Sequence, residues 1–355
     1  MGERAGVDLD EQIDLLLRKY DGEPAAHLAV ALARASQGRM ENADVHVARA
    51  RALNASGHPW SALVPEMSLW PPRPKTGSFH EEVPGRVYRV IGAKDVPGIP
   101  FANPGAATFL RMRSGELVCI NPVPMTDELA ARVSDHGEVT HIVAPAKYHS
   151  EGIPHAQRLF PRARTWGAPA QKGYPGVAHV RFDGYLDDSA PLFPGELDQI
   201  TMRGIDVGDV WFVDRASRTL IVTDAVFATE AVPGAEPFAS PFAAFYTWAW
   251  GVHGRLGVPS YQPAMWQDVR AYQESLRRAL ACDFEHVGSS HGPFRCTSND
   301  GKEELRRALG FILDLSRFEA LGLLFDFVRR HPGIFFRLVR EQIAARKGRR
   351  ATTPA

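Results

Sequence analysis

The sequence lacks most of the features that fix a protein's class by composition alone. Only three cysteines occur in 355 residues, Cys119, Cys282 and Cys296, at spacings that suit neither a structural zinc site nor a redox pair. An odd, scattered set reads as free thiols in a reducing compartment and excludes a disulfide scaffold. Neither sign of charge is in excess: 41 Lys+Arg balance 41 Asp+Glu. No global field therefore draws the chain to nucleic acid, and none is expected as a partner. No long apolar run is free of charges. The most apolar stretch, 311–328, carries Asp314, Arg317, Glu319 and Asp326, which argues against a transmembrane helix. The first twelve residues are acidic and polar, without the basic and apolar regions of a signal peptide. A soluble cytoplasmic protein is the expectation.

What is present suffices for a full core, with 45% hydrophobic residues and an ordinary 23% charged. The length suggests about two domains, at ~150 residues each. Four segments are expected. Residues 1–56 read as helices, with Gly22 and Gly38 as stops. Residues 57–104 form a Pro/Gly-rich arm, in which 87–91, Val-Tyr-Arg-Val-Ile, has the content of a strand. Residues 105–297 form a strand-rich domain, and 298–355 add helices and a basic tail. Within the domain, strands are expected at 106–112 and 117–121 around Ser114-Gly115, then at 142–145, 165–166, 179–182, 199–202, 210–213 and 220–223. Helices are expected from the N-cap Thr126, around His155, over 263–281, and after a capping box of Asp300 and Glu303.

Three polar residues each end an apolar strand-like run: His149 after HIVAPAKY, Asp224 after TLIVT, and His291 after HVGSS. Loops at strand ends are where folds of this kind gather their chemistry. Two imidazoles and a carboxylate make a divalent-metal set with coordination positions left for water or substrate. Singly, each has an ordinary structural explanation, since a loop His often bonds a carbonyl and an Asp after a strand often caps a turn. The order strand–His–helix, strand–Asp, strand–His–Gly is what draws attention.

That order, carried by SGELVCINPVPMTDELAARV, HIVAPAKYHSEGIPHAQRLFPRART, SRTLIVTDAVF and SSHGPF, resembles the metallo-β-lactamase, or metallo-hydrolase/oxidoreductase, fold superfamily. The resemblance covers about 107–294, roughly half the chain. It implies an α+β, four-layer αββα sandwich, here with helical N-terminal and C-terminal additions. The superfamily's His-x-His-x-Asp-His motif, aligned on Phe160-Pro161, falls on Ala144, Ala146, Tyr148 and His149, so only its last histidine is present. A later ligand position falls near Gly204-Ile205, with Asp206 and Asp209 close by. The resemblance implies the metal ligands His149, Asp224 and His291, hence one divalent ion, Zn, Fe or Mn, instead of two.

The activity so implied is hydrolysis of a small ester-, lactone- or thioester-like substrate, with redox chemistry at iron left open. Asp224 would act as ligand and orienter, Tyr148 as an oxyanion donor, and His155 as an acid/base or supporting residue. The alternative is a metal-free, inactive relative that serves as a ligand- or protein-binding module. Two further features stay open. The aromatic run Phe242, Phe245, Tyr246, Trp248 and Trp250 with His253 reads as a pocket lining, core or oligomer contact. The basic tail, 327–350, suits packing on its own domain or a second subunit, or contact with a membrane surface.

Overall fold

The computed structural model describes residues 77–94, 103–150, 152–228, 256–292, 294–295 and 301–330, helix α1 (Met40–Asn54), and isolated positions at 10–34 and at 252. The chain then runs through β1 (Ser78–Val83), β2 (Val87–Lys94), β3 (Asn103–Arg111), β4 (Leu117–Ile120), α2 (Asp127–Ser134), β5 (Val139–Ala144), α3 (Ile153–Leu159), β6 (Arg164–Gly167) and β7 (Gly184–Tyr185). These strands form one sheet in the order β1-β2-β3-β4-β5-β6-β7. The first four pair antiparallel and the rest parallel. Next come β8 (Leu197–Thr201), β9 (Val210–Asp214), β10 (Thr219–Val222), β11 (Phe227–Ala228), β12 (Leu256–Gly257), α4 (Val269–Ala281), β13 (His286–Ser289), β14 (Phe294–Arg295), α5 (Gly301–Leu313) and α6 (Arg317–Arg330). A second sheet has the order β14-β13-β10-β9-β8, and β11 pairs with β12 separately.

Three apolar layers separate four structural ones, and strand alternation decides which side chain enters which layer. Val118, Ile120 and Val143 of the first sheet face Phe212, Val210 and Ile221 of the second. The opposite faces of the same strands turn outward: Leu117, Cys119 and Ile142 pack under Leu129 and Val133 of α2 and Ile153 and Ala156 of α3. On the far side, Trp211, Val213, Leu220 and Val222 pack under Tyr272 and Leu276 of α4 and Leu305 and Leu309 of α5. Helix, sheet, sheet, helix is the αββα sandwich expected above. Because both sheets are covered on both faces, β4 and β10 read as unbroken apolar runs, LVCI and TLIV, with every residue buried.

The caps fall where side-chain chemistry puts them. Thr126 Oγ1 accepts from the Leu129 N–H at 3.2 Å to start α2, and Gly115, at φ +88°, turns β3 into β4. The capping box at Asp300 lies outside the described residues, as do Cys296, the aromatic run 242–250 with His253, and the tail beyond 330. No described helix is long and apolar enough to cross a membrane.

Two expectations are corrected. Residues 179–182 are not a strand; side chains hold this segment instead of a ladder, with Asp183 Oδ2 accepting from the Thr165 N–H at 2.7 Å and the Arg181 carbonyl accepting from Gln157 Nε2 at 2.8 Å. The helix over 263–281 is split into a 3₁₀ turn, Gln262–Met265, and α4. Asp268 makes the break by accepting from the N–H groups of Arg270 and Ala271 at 3.0 and 3.3 Å. Within the arm over 57–104, the expected strand at 87–91 is present as part of β2, and β1 and β2 extend the first sheet. The hairpin between them is fixed to the second sheet by Arg86, whose Nε donates to Asp214 Oδ2 at 3.0 Å.

Candidate metal centre

Parallel pairing of β10 with β13 sets two thirds of the site. Val222 is in register with Ser289. Asp224 and His291 each lie two residues past those partners, so both emerge at the same sheet end. His149 comes from the other sheet, in the loop after β5. Two backbone bonds carry that loop across: Val210 N–H to the Pro145 carbonyl at 2.7 Å, and Lys147 N–H to the Val207 carbonyl at 2.9 Å. Helix α3 can start close behind it only because residue 152 is glycine. A Cβ there would lie 1.9 Å from the Pro122 carbonyl oxygen.

The three predicted ligands converge. His149 Nε2 is 2.7 Å from Asp224 Oδ1. His291 Nε2 is 3.1 Å from the same oxygen and 3.0 Å from His149 Nε2. The side chains are buried, with only 5, 9 and 6% of His149, Asp224 and His291 exposed, which places their charges in a medium that screens weakly.

The protonation pattern is legible from the neighbours. Asn121 stands directly after β4 at φ 57°, a left-handed conformation that Asn tolerates. Its Nδ2 donates to the Ala106 carbonyl at 2.9 Å. The amide is thereby oriented, and its Oδ1 accepts from His149 Nδ1. A neutral His149 then has its hydrogen on Nδ1 and a bare lone pair on Nε2, aimed at Asp224 and His291. With a proton added at Nε2, His149 donates to Asp224 Oδ1; without it, the same lone pair is available to a metal ion.

The carboxylate is prepared for a cation. Burial pushes the Asp224 carboxyl up, but the coulombic pull of His149 and bonds from both imidazoles outweigh it and hold the group well below the usual range. Asp224 Oδ2 is buried and has no hydrogen-bond partner among the described residues. An orphaned carboxylate oxygen beside two imidazole nitrogens is a donor set that fits a divalent ion. One potential ligand atom from each of the three residues lies within 4.8 Å of the others, the only such group among the described residues.

Asp209 forms the floor. Its Oδ2 accepts from the Ala225 N–H at 2.7 Å and from Trp211 Nε1 at 3.3 Å. Burial, followed by the charge of Asp224, pushes its carboxyl well above the ordinary range. The two neighbouring carboxyls are therefore shifted in opposite directions, Asp209 up and Asp224 down.

The other sequence candidates go elsewhere. Tyr148 donates its hydroxyl to Asp206 Oδ2 at 3.3 Å, not toward the three ligands. His155 Nε2 bonds the Met125 carbonyl at 2.7 Å, which ties α3 to the loop before α2. Ala144 and Ala146 are fully buried and offer no donor. Asp206, near the expected mid-chain ligand position, pairs with Lys147 Nζ at 2.6 Å. Sequence reading missed Asn121, whose place immediately after LVCI was its one visible signal. It also left Lys147 without a role.

The model of a domain of unknown function (DUF4336) matches residues 104–240, less than half of the chain. No curated protein matches. Among solved structures, a metallo-β-lactamase from Hirschia baltica is 12% identical with TM-score 0.46, covering 67% of this chain and 98% of its own. A metallo-β-lactamase from Erythrobacter litoralis, with β-mercaptoethanol in its active site, is 15% identical with TM-score 0.46, covering 68% and 99%. The mono-zinc form of FIM-1 from Pseudomonas aeruginosa is 9% identical with TM-score 0.45, covering 69% and 99%.

Proposed function

We propose that the chain is a metal-dependent hydrolase with a single-metal centre of His149, Asp224 and His291, acting on a small ester-, lactone- or thioester-like substrate. The observation that carries this reading is the closed group of two imidazole nitrogens and one carboxylate oxygen, with Oδ2 of the same carboxylate left unbonded. A divalent ion held there supplies Lewis acidity, polarising a substrate oxygen. The chain's own residues do the rest. Asn121 keeps Nδ1 of His149 protonated, so that Nε2 stays a ligand. Asp224 is a ligand and an orienting charge.

The test is metal analysis of freshly purified protein, repeated after incubation with Zn, Mn or Fe. One equivalent is expected in the wild type, and none is expected to be retained by His149→Ala or His291→Ala. Absence of metal from the wild type under every condition would remove the proposal. Asn121→Ala provides a finer check. With the outer-shell acceptor gone, Zn affinity is expected to fall about 10–100-fold, measured by competition with a chromogenic chelator, while the fold is retained.

A second reading rests on the same distances. The three side chains bond one another directly, so a proton shared among them closes the cluster without an ion. In that case the protein is a metal-free binding module, and His149→Ala changes its ligand affinity but no metal content.

A further inference from the structure

Strand alternation makes Arg89 anomalous. It shares its side of β2 with Val87, which belongs to the apolar layer between the sheets, and it is itself 0% exposed. A guanidinium in that layer is costly unless it is bonded. Its Nη2 is bonded twice, donating to the carbonyls of Ser289 and Gly292, the latter at 2.8 Å. Those two residues bracket His291. Nε and Nη1 have no hydrogen-bond partner among the described residues, and Glu82 approaches Nη1 only to 3.9 Å. Burial lowers the Arg89 pKa to about 10, so the group is still a cation at neutral pH.

The same loop is held from neighbouring positions. The Ser290 carbonyl accepts from the Ala106 N–H at 2.9 Å, and the Ser290 N–H donates to Val222 O at 2.9 Å. The His291 N–H donates to Ser289 Oγ at 3.1 Å. Ala106 is also the residue whose carbonyl orients Asn121. Without Arg89, the two carbonyls on either side of His291 would lose their side-chain donor.

We infer that Arg89 is a positioning residue for the metal centre: it clamps both ends of the 289–292 turn and so aims His291 at His149 and Asp224. This rests on the proposed metal site but makes a separate claim, that a residue of the β1–β2 hairpin governs ligand geometry. A cation that only filled space between the sheets would affect stability and leave metal affinity alone. A clamp affects the loop and the metal even when the fold is intact.

Arg89→Met removes the donors and the charge while keeping an unbranched apolar stem. Arg89→Lys keeps the charge on a stem one atom shorter. The measurements are amide exchange at Ser290 and His291, ring ¹⁵N shifts of His291, and Zn affinity by chelator competition. Arg89→Met is expected to speed exchange at both amides about tenfold or more, with β9 amides unchanged, and to weaken Zn binding about 10–100-fold. Arg89→Lys should recover part of both. Unchanged loop exchange and ring shifts in Arg89→Met would overturn the inference, as would a loosened loop with wild-type Zn affinity. If the wild type binds no Zn, the proposed function fails, while loop exchange and ring shifts still decide whether Arg89 fixes His291.

Discussion

Lys147→Met is expected to destabilise the protein by about 3–5 kcal/mol, because it strands a buried carboxylate. Lys147 is 1% exposed and Asp206 is 6% exposed, and their 2.6 Å contact lies where water cannot replace it. Gln267 Nε2 at 2.9 Å and the Tyr148 hydroxyl at 3.3 Å would still bond Asp206, but neither carries charge. The loss should appear as a lower urea midpoint at constant slope. Lys147→Met combined with Asp206→Leu should recover most of it, since removing both charges also removes their desolvation cost. If the single variant is no less stable than wild type, the ammonium is not neutralising Asp206 as the geometry requires. Lys147 is two residues from His149, and its side chain holds the same loop that its N–H ties to Val207. Zn affinity should therefore fall with stability in the single variant and return in the double one.

Trp211→Ala should be comparably damaging, at about 3–5 kcal/mol for a large aromatic removed from a packed core. Trp211 is wholly buried, in the layer between the second sheet and α4 and α5. The deletion leaves a cavity and also removes the indole donor to Asp209 Oδ2. Because Asp209 supports the backbone beside Asp224, the damage should reach the metal centre. Trp211→Phe, which fills much of the space without the N–H, separates the two effects. It should regain most of the urea midpoint while Zn affinity stays below that of the wild type. Equal Zn affinity in wild type and Trp211→Phe would show that the indole bond does nothing for the site.

The framework was readable in the sequence because burial writes directly into local composition. Runs such as LVCI and TLIV are apolar on both faces for a physical reason, and the polar residues that end such runs mark the sheet end where His149, Asp224 and His291 meet. The sequence was silent where a residue's meaning depends on a distant partner. Arg89 reads as the polar member of an alternating strand until Ser289, 200 residues away, is placed against it. Asn121 reads as the last residue of a strand until Ala106 and His149 settle its orientation. The region 179–182 has strand-like composition, yet the Val180 N–H turns back to the Val177 carbonyl and the Arg181 carbonyl accepts from Gln157 Nε2. Tyr148 was singled out because it stands at the motif's aspartate position and His155 because it lies on the helix that follows; the structure places Tyr148 against Asp206 and His155 against the Met125 carbonyl.

The parallel register of Val222 with Ser289 also bears on when the centre can exist. His149 and Asp224 are 75 positions apart, Asp224 and His291 are 67 apart, and the two imidazoles are 142 apart. Contacts of such long range pay their chain-closure entropy before they return any stabilisation. A parallel neighbour must also wait for its crossover, here through α4, before it can dock. On contact order alone, His291 is expected to join last, and a growing chain carries His149 and Asp224 before their third partner is made. On that ordering, the His149–Asp224–His291 cluster is an outcome of completed folding and not a nucleus around which the fold condenses.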